Sequence, residues 1–150
     1  MNRWIALLGF LVLTVGGGLA IGFLIAPGEW YVGLAKPSFN PPSWLFGPVW
    51  TALYVLIAVA GWLTFERNRA GGAMRLWWGQ LVLNFLWSPI FFVAHQTGLA
   101  LAVSLLLLAA IFAFIAASWL EDRVAAWLFA PYAAWVAFAS VLNVAIWALN

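Results

Sequence analysis

The sequence predicts an all-α integral membrane protein, a bundle of five transmembrane helices with a structured loop between the first two, and three observations predict it. Of its 150 residues, 67% are hydrophobic and only 7% charged, against about a quarter charged in an ordinary soluble domain. So few charges cannot cover the large surface that a small water-soluble domain leaves exposed. Five apolar stretches, at about Trp4 to Ala26, Trp44 to Phe65, Leu76 to Ala94, Leu99 to Leu120 and Val124 to Leu149, are each long enough to cross a bilayer as a helix. The polar breaks between them are short, so residues 1–150 read as a single transmembrane domain.

Span 1 follows Met1-Asn2-Arg3. Its apolar run exceeds the roughly 7 to 15 residues of a signal-peptide core, which predicts a retained helix. It contains Gly18-x-x-x-Gly22, a spacing that lets another helix approach closely, from the same chain or from a second subunit. The break from Pro27 to Ser43 is the longest. Pro27, Pro37, Pro41 and Pro42 restrict its backbone, and Trp30, Tyr31, Phe39 and Trp44 give it apolar weight. A lid packed on the helix ends is expected there, with a short helix around Trp30 to Ala35. Span 2 places Trp50, Leu53, Tyr54 and Ile57 on one face. Span 3 places Gln80, Asn84, Trp87, Ser88 and Phe91 at i, i+4, i+7, i+8 and i+11, again one face. The breaks His95–Gly98 and Glu121–Arg123 are so short that spans 3 and 4, and spans 4 and 5, must be antiparallel neighbours. On span 5, Trp135, Phe138, Ala139, Leu142 and Ile146 share a face.

Five spans put the termini on opposite sides. Arg3, Arg67, Arg69, Arg75 and Arg123 fall on the amino-terminal side and Lys36 on the other, so the positive-inside rule makes the amino terminus cytoplasmic. The carboxyl terminus and first loop then face outward, across what is expected to be a bacterial membrane. No charged residue lies inside a span, which disfavours a proton- or ion-coupled transporter, since these need an ionisable relay at membrane depth. The net charge of +2 comes without the basic stripe that nucleic acid requires. The absence of cysteine excludes disulfides, thiolate nucleophiles and cysteine metal sites. His95 alone makes a weak metal ligand, so no metal site is expected and no cofactor is required. Nucleotide loops, nucleophile-and-base pairs and carboxylate pairs are missing as well.

Candidate functional residues are therefore aromatic and amide. Trp4, Trp62, Trp77, Trp78, Trp119, Trp127 and Trp147 suit the headgroup interface, where indole is enriched. Trp50 lies about 9 Å into span 2, and Trp87 and Trp135 about 16 Å into spans 3 and 5, depths at which an indole N–H wants a partner. Plain core packing is the alternative. If the faces of spans 2, 3 and 5 converge, they enclose an apolar cavity with a few polar groups, the usual make-up of a small-molecule site. The same amides could equally tie helices together.

Three stretches carry a family likeness. Lys36-Pro-Ser-Phe-Asn-Pro-Pro-Ser-Trp44 with Pro48-Val-Trp50-Thr-Ala-Leu-Tyr54, then Gln80-Leu-Val-Leu-Asn84-Phe-Leu-Trp87-Ser-Pro-Ile-Phe-Phe92, then Pro131-Tyr132-x-x-Trp135 with Phe138-Ala139 and Leu142-Asn143, closely resemble the tryptophan-rich sensory protein and mitochondrial translocator protein family, in order and over essentially the whole chain. The resemblance implies a homodimer that binds protoporphyrin IX or haem, and isoquinoline or benzodiazepine-type ligands. It implies a pocket made by Trp50 on span 2, Asn84, Trp87 and Ser88 on span 3, and Trp135, Ala139, Leu142 and Asn143 on span 5, closed by Trp30, Ser38 and Phe39 from the loop. Tyr54 joins them from the Trp50 face. The expected function is a tetrapyrrole-binding sensor. The alternatives are light-dependent oxidative breakdown of protoporphyrin, with Trp50 and Trp135 as electron relays, and passive translocation. Two departures stand out. Ser38-Phe39 replaces the paired tryptophans of some bacterial relatives, and the end of span 5 lacks the tyrosine and arginine of the animal cholesterol motif, which argues against cholesterol.

Overall fold

In lipid each peptide group must be satisfied within its own helix. The computed structural model, which describes residues 1–150, is accordingly helical through every apolar stretch and contains no strand. The spans are α1 (Arg3–Leu24), α2 (Ser43–Arg67), α3 (Gly72–Val93), α4 (Thr97–Ser118) and α5 (Arg123–Leu149). Local chemistry sets several of their ends. The Asn2 side chain accepts the Trp4 N–H at the start of α1, and Asp122 accepts those of Val124 and Ala125 at the start of α5, as N-caps do. α1 stops short of Ala26 because Pro27 disfavours helical backbone before it, and Ile25 has already left the helical region. α3 begins at Gly72, earlier than the apolar run suggests, because Arg75 is exposed and a long cationic side chain can lie along the helix with its head in water. Near the other end of α3, Pro89 has no N–H to give, and the helix widens into a π turn over Pro89–Val93.

The helices form a ring in the order α1, α2, α5, α4, α3, with α1 also against α3. Glycines set the closest approaches. Gly18 lies against the Tyr54 ring and Gly61 against the Trp77 ring, so near that a Cβ at either would overlap the ring. The glycine pair of α1 is thus divided, for Gly18 serves an internal contact while Gly22 faces open space. The Thr14 hydroxyl donates to the Tyr54 carbonyl at 2.8 Å and fixes α1 to α2. Ser104 and Ser140 hydrogen-bond across α4 and α5.

Two tryptophans depart from the interfacial expectation. Trp77 is fully buried and donates its indole N–H to the Ile57 carbonyl at 2.9 Å, and Trp62 is also buried. The early start of α3 carries Trp77 more than a turn into the bundle, and Gly61 supplies the notch that receives it. Trp4, Trp78, Trp119, Trp127 and Trp147 are exposed as an interfacial belt requires.

The first loop is folded, with one helical turn at Glu29–Val32 in place of the longer helix expected. Lys36 closes that turn by donating to the carbonyls of Tyr31 at 2.6 Å, Leu34 at 3.2 Å and Val32 at 3.4 Å. The Asn150 carboxamide accepts the Ala35 N–H and donates to the Ala35 carbonyl, both at 3.0 Å, and so latches the loop to the end of α5. Beneath the loop a small apolar cluster of Phe91, Ala100, Leu142 and Ile146 stands apart from the main core.

Candidate functional site

α2 and α5 run antiparallel, so residues three or four apart on each meet in successive levels. Descending from the loop, Phe39 meets Phe138 with ring centroids 6.4 Å apart, Phe46 meets Trp135 at 5.8 Å, and Trp50 meets Tyr132 at 6.3 Å. Trp50 also lies 5.4 Å from Tyr54, the next residue on its own face. These offset and edge contacts are the arrangements aromatic quadrupoles prefer.

Below this ladder a buried polar chain crosses three helices. The Tyr54 hydroxyl donates to Asn84 Oδ1 at 2.7 Å, Asn84 Nδ2 donates to the Tyr132 hydroxyl at 2.7 Å, and that hydroxyl donates to Gln80 Oε1 at 2.8 Å. A second relay lies nearer the loop, where Trp87 donates its indole N–H to Asn143 Oδ1 at 3.1 Å and Asn143 Nδ2 donates to the Thr97 carbonyl at 3.0 Å. Asn84 and Asn143 therefore tie helices together. Among the residues of this ladder and polar chain, two buried donors have no acceptor, Gln80 Nε2 and the Trp135 indole nitrogen. An unmade hydrogen bond of this kind costs roughly 1 to 3 kcal/mol.

The expected pocket residues fall into two groups. Trp50, Tyr54 and Trp135 belong to the main core, whereas Trp30, Trp87 and Leu142 belong to the cluster under the loop. Phe46 packs on that smaller cluster and on the Trp135 ring, and so spans the seam between them. Ser88 and Ala139 are half-buried, while Ser38 and Phe39 are exposed in the loop. The faces of α2, α3 and α5 do converge, but aromatic side chains fill the space between Trp50 and Trp135. Tyr132, Phe46 and Phe138 carry much of this packing. None of the three was in the expected site, although Phe138 shares the Trp135 face, Tyr132 stands three residues before Trp135 and Phe46 four before Trp50, about one helical turn in each case.

Two open clefts lie at the loop end of the bundle. One, of about 550 Å³, is lined by Pro27, Tyr31, Val32, Lys36, Asn40 and Ser43. Burial pushes the Tyr31 hydroxyl pKa up, an effect that the neighbouring Asn40 carboxamide partly offsets. The other, of about 480 Å³, is lined by Trp30, Leu34, His95, Thr97, Trp147 and Asn150. His95 adopts a left-handed backbone, φ 56°, and its imidazole stacks on Trp30 at 4.1 Å. His/Cys/Asp/Glu side chains do not gather anywhere into a metal-binding group.

Comparison with known proteins agrees with this architecture. The chain matches the model of the TspO/MBR family over residues 10–148. It is 39% identical to the translocator protein of Homo sapiens, over 98% of this chain and 91% of the human one. It is 36% identical to the tryptophan-rich sensory protein of Cereibacter sphaeroides, over 98% and 92% of the two chains. Identity to Protein CrtK of Rhodobacter capsulatus is 37%, over 87% and 84%.

Proposed function

We propose, from the premise that this chain belongs to the TspO/MBR family, that it is a membrane sensory protein whose ligand is a tetrapyrrole, protoporphyrin IX or haem. The ligand would be held at the seam between α2, α3 and α5 under the first loop. One observation carries this reading. The Trp135 indole N–H is buried without an acceptor, in a wall of rings from Phe39 down to Tyr132 and beside the junction of the two apolar clusters. A flat macrocycle presents π faces for those rings and pyrrole nitrogens or carboxylate oxygens for the orphan donor. Each favourable ring pair adds about 0.5 to 1.5 kcal/mol beyond burial. Affinity then comes mostly from apolar area, and the N–H fixes orientation.

The filled seam makes binding conditional on movement. Phe39 is exposed and Phe46 and Phe138 are only partly buried, and their displacement, with lifting of the latched loop, opens the space from above. This couples ligand occupancy to the shape of one face of the protein, which is what a sensor needs. The arginine bias supports a cytoplasmic position for the opposite face. The test is titration of the purified protein with protoporphyrin IX, followed by tryptophan quenching. Quenching should saturate, and Trp135→Phe, which keeps a ring and removes the donor, should weaken binding about three- to tenfold. Trp127→Phe in the exposed belt should leave it unchanged. Quenching that never saturates, or an equal response to both substitutions, rejects the reading.

Light-dependent oxidative breakdown of bound protoporphyrin is the second reading, favoured by the contact of Trp50 with Tyr54 and Tyr132, three redox-active rings in series. Illumination of the Trp50→Phe, Trp135→Phe double variant decides it, provided binding persists. Pigment loss at the wild-type rate removes this activity while leaving the sensor reading intact.

A further inference from the structure

The charges of this protein are segregated by face, and their engagement differs. On the loop face the single cation, Lys36, spends its ammonium on three backbone carbonyls. The opposite face holds all five arginines against Glu66, Glu121 and Asp122. There the one ion pair is Arg67 with Asp122, at 3.2 Å. Arg3, Arg69, Arg75 and Arg123 have no carboxylate partner.

Three of those four lie over aromatic rings. Arg3 Cζ is 5.3 Å from the Trp4 ring centre and 5.1 Å from that of Trp62, two rings stacked on each other at 5.7 Å. Arg69 Cζ is 4.4 Å from the Phe65 ring, and Arg123 Cζ is 4.9 Å from the Trp119 ring, itself 5.9 Å from Trp127. A guanidinium over a ring is held in place by cation–π attraction while its edge N–H groups stay free for an oxyanion. The fork of donors matches two oxygens of a phosphate. Beside Arg3, the buried Trp62 indole nitrogen is a donor without a partner.

We propose that this face binds the phosphate headgroups of anionic phospholipids, with Arg3 on Trp4 and Trp62 as the principal site and Arg69 and Arg123 as further ones. Exposed indoles mark the level of the headgroups, and Trp4, Trp78, Trp119 and Trp127 are all exposed on this side. The guanidinium groups therefore stand where phosphodiesters lie, next to apolar surface that meets the acyl chains. A soluble phosphate shares the oxyanion but has no use for that surface, so the lipid is the source chosen.

The full-length protein, purified in a neutral detergent, is exposed to phosphatidylglycerol and phosphatidylcholine of identical acyl chains, and the lipids retained are counted by native mass spectrometry. Phosphatidylglycerol should be preferred. Arg3→Gln, Arg69→Gln and Arg123→Gln should each weaken its retention about fivefold. Arg75→Gln removes the same charge from a residue with no ring beneath it, and should change retention less than twofold. Arg3→Lys keeps the charge and loses the planar fork, so it should fall toward Arg3→Gln. Inorganic phosphate and glycerol phosphate at millimolar concentration should not displace the lipid. Equal retention of the two lipids, equal losses at all four arginines, or displacement by free phosphate each overturns the proposal. Any Gln variant that loses helicity by circular dichroism is replaced by the Lys variant at the same position, read the same way.

Discussion

Replacing Asn84 by leucine tests whether the polar chain at the centre of the bundle holds the helices together. Asn84 is the only acceptor of the Tyr54 hydroxyl and donates to that of Tyr132, which keeps Gln80 as its own acceptor. Asn84→Leu thus orphans one buried hydroxyl, at roughly 1 to 3 kcal/mol, and deletes a second bond worth about 0.6 kcal/mol by the average of interhelical bonds in membranes. A loss of ~2 to 3 kcal/mol follows. Tyr54→Phe alone leaves Asn84 Oδ1 without a donor and should cost about 1 to 2 kcal/mol. In the double variant neither group is left stranded, so the two losses should fall short of additivity by ~1 kcal/mol. Reversible unfolding in mixed micelles, with sodium dodecyl sulfate as denaturant and tryptophan fluorescence as readout, measures all three variants against the parent. A neutral Asn84→Leu, or strictly additive single losses, would show that α3 is held by apolar packing alone and that the chain contributes nothing.

Three further outcomes follow from particular contacts. Gly61→Ala drives a methyl into the buried Trp77 ring and should destabilise by about 1 to 3 kcal/mol in the same assay, whereas Gly22→Ala, with open space around it, should be neutral or slightly stabilising. Trp77→Phe leaves the indole pocket partly empty and removes the bond to the Ile57 carbonyl, at a cost of ~1 to 3 kcal/mol, while Trp127→Phe in the exposed belt should cost less than about 0.5 kcal/mol. Asn150→Ala cuts both hydrogen bonds to Ala35 and should raise amide exchange in residues 29–40 severalfold, with α3 and α4 unchanged.

Five long apolar runs, the last three separated by breaks too short for anything but reversal, leave a membrane bundle as the one solution, because lipid forbids an unpaired backbone. That much the sequence by itself determined, together with the faces on which Trp50, Asn84 and Trp135 lie, since helical periodicity places residues on a face whatever lies opposite. What lies opposite was decided only by the tertiary structure. Asn84 and Asn143 have the same chemistry whether they meet a ligand or another helix, and the packing gave them Tyr54, Tyr132, Trp87 and the Thr97 carbonyl. Trp77 looked interfacial because depth was counted from the edge of the apolar run. The helix in fact begins at Gly72 and a notch at Gly61 draws the ring inward. The pairing of Asn150 with Ala35 spans 115 positions and carries no local signal at all. Local preference and periodicity act over a few residues, but the partner of each face is chosen by how five helices fit together as solids, and no single stretch of the chain contains that information.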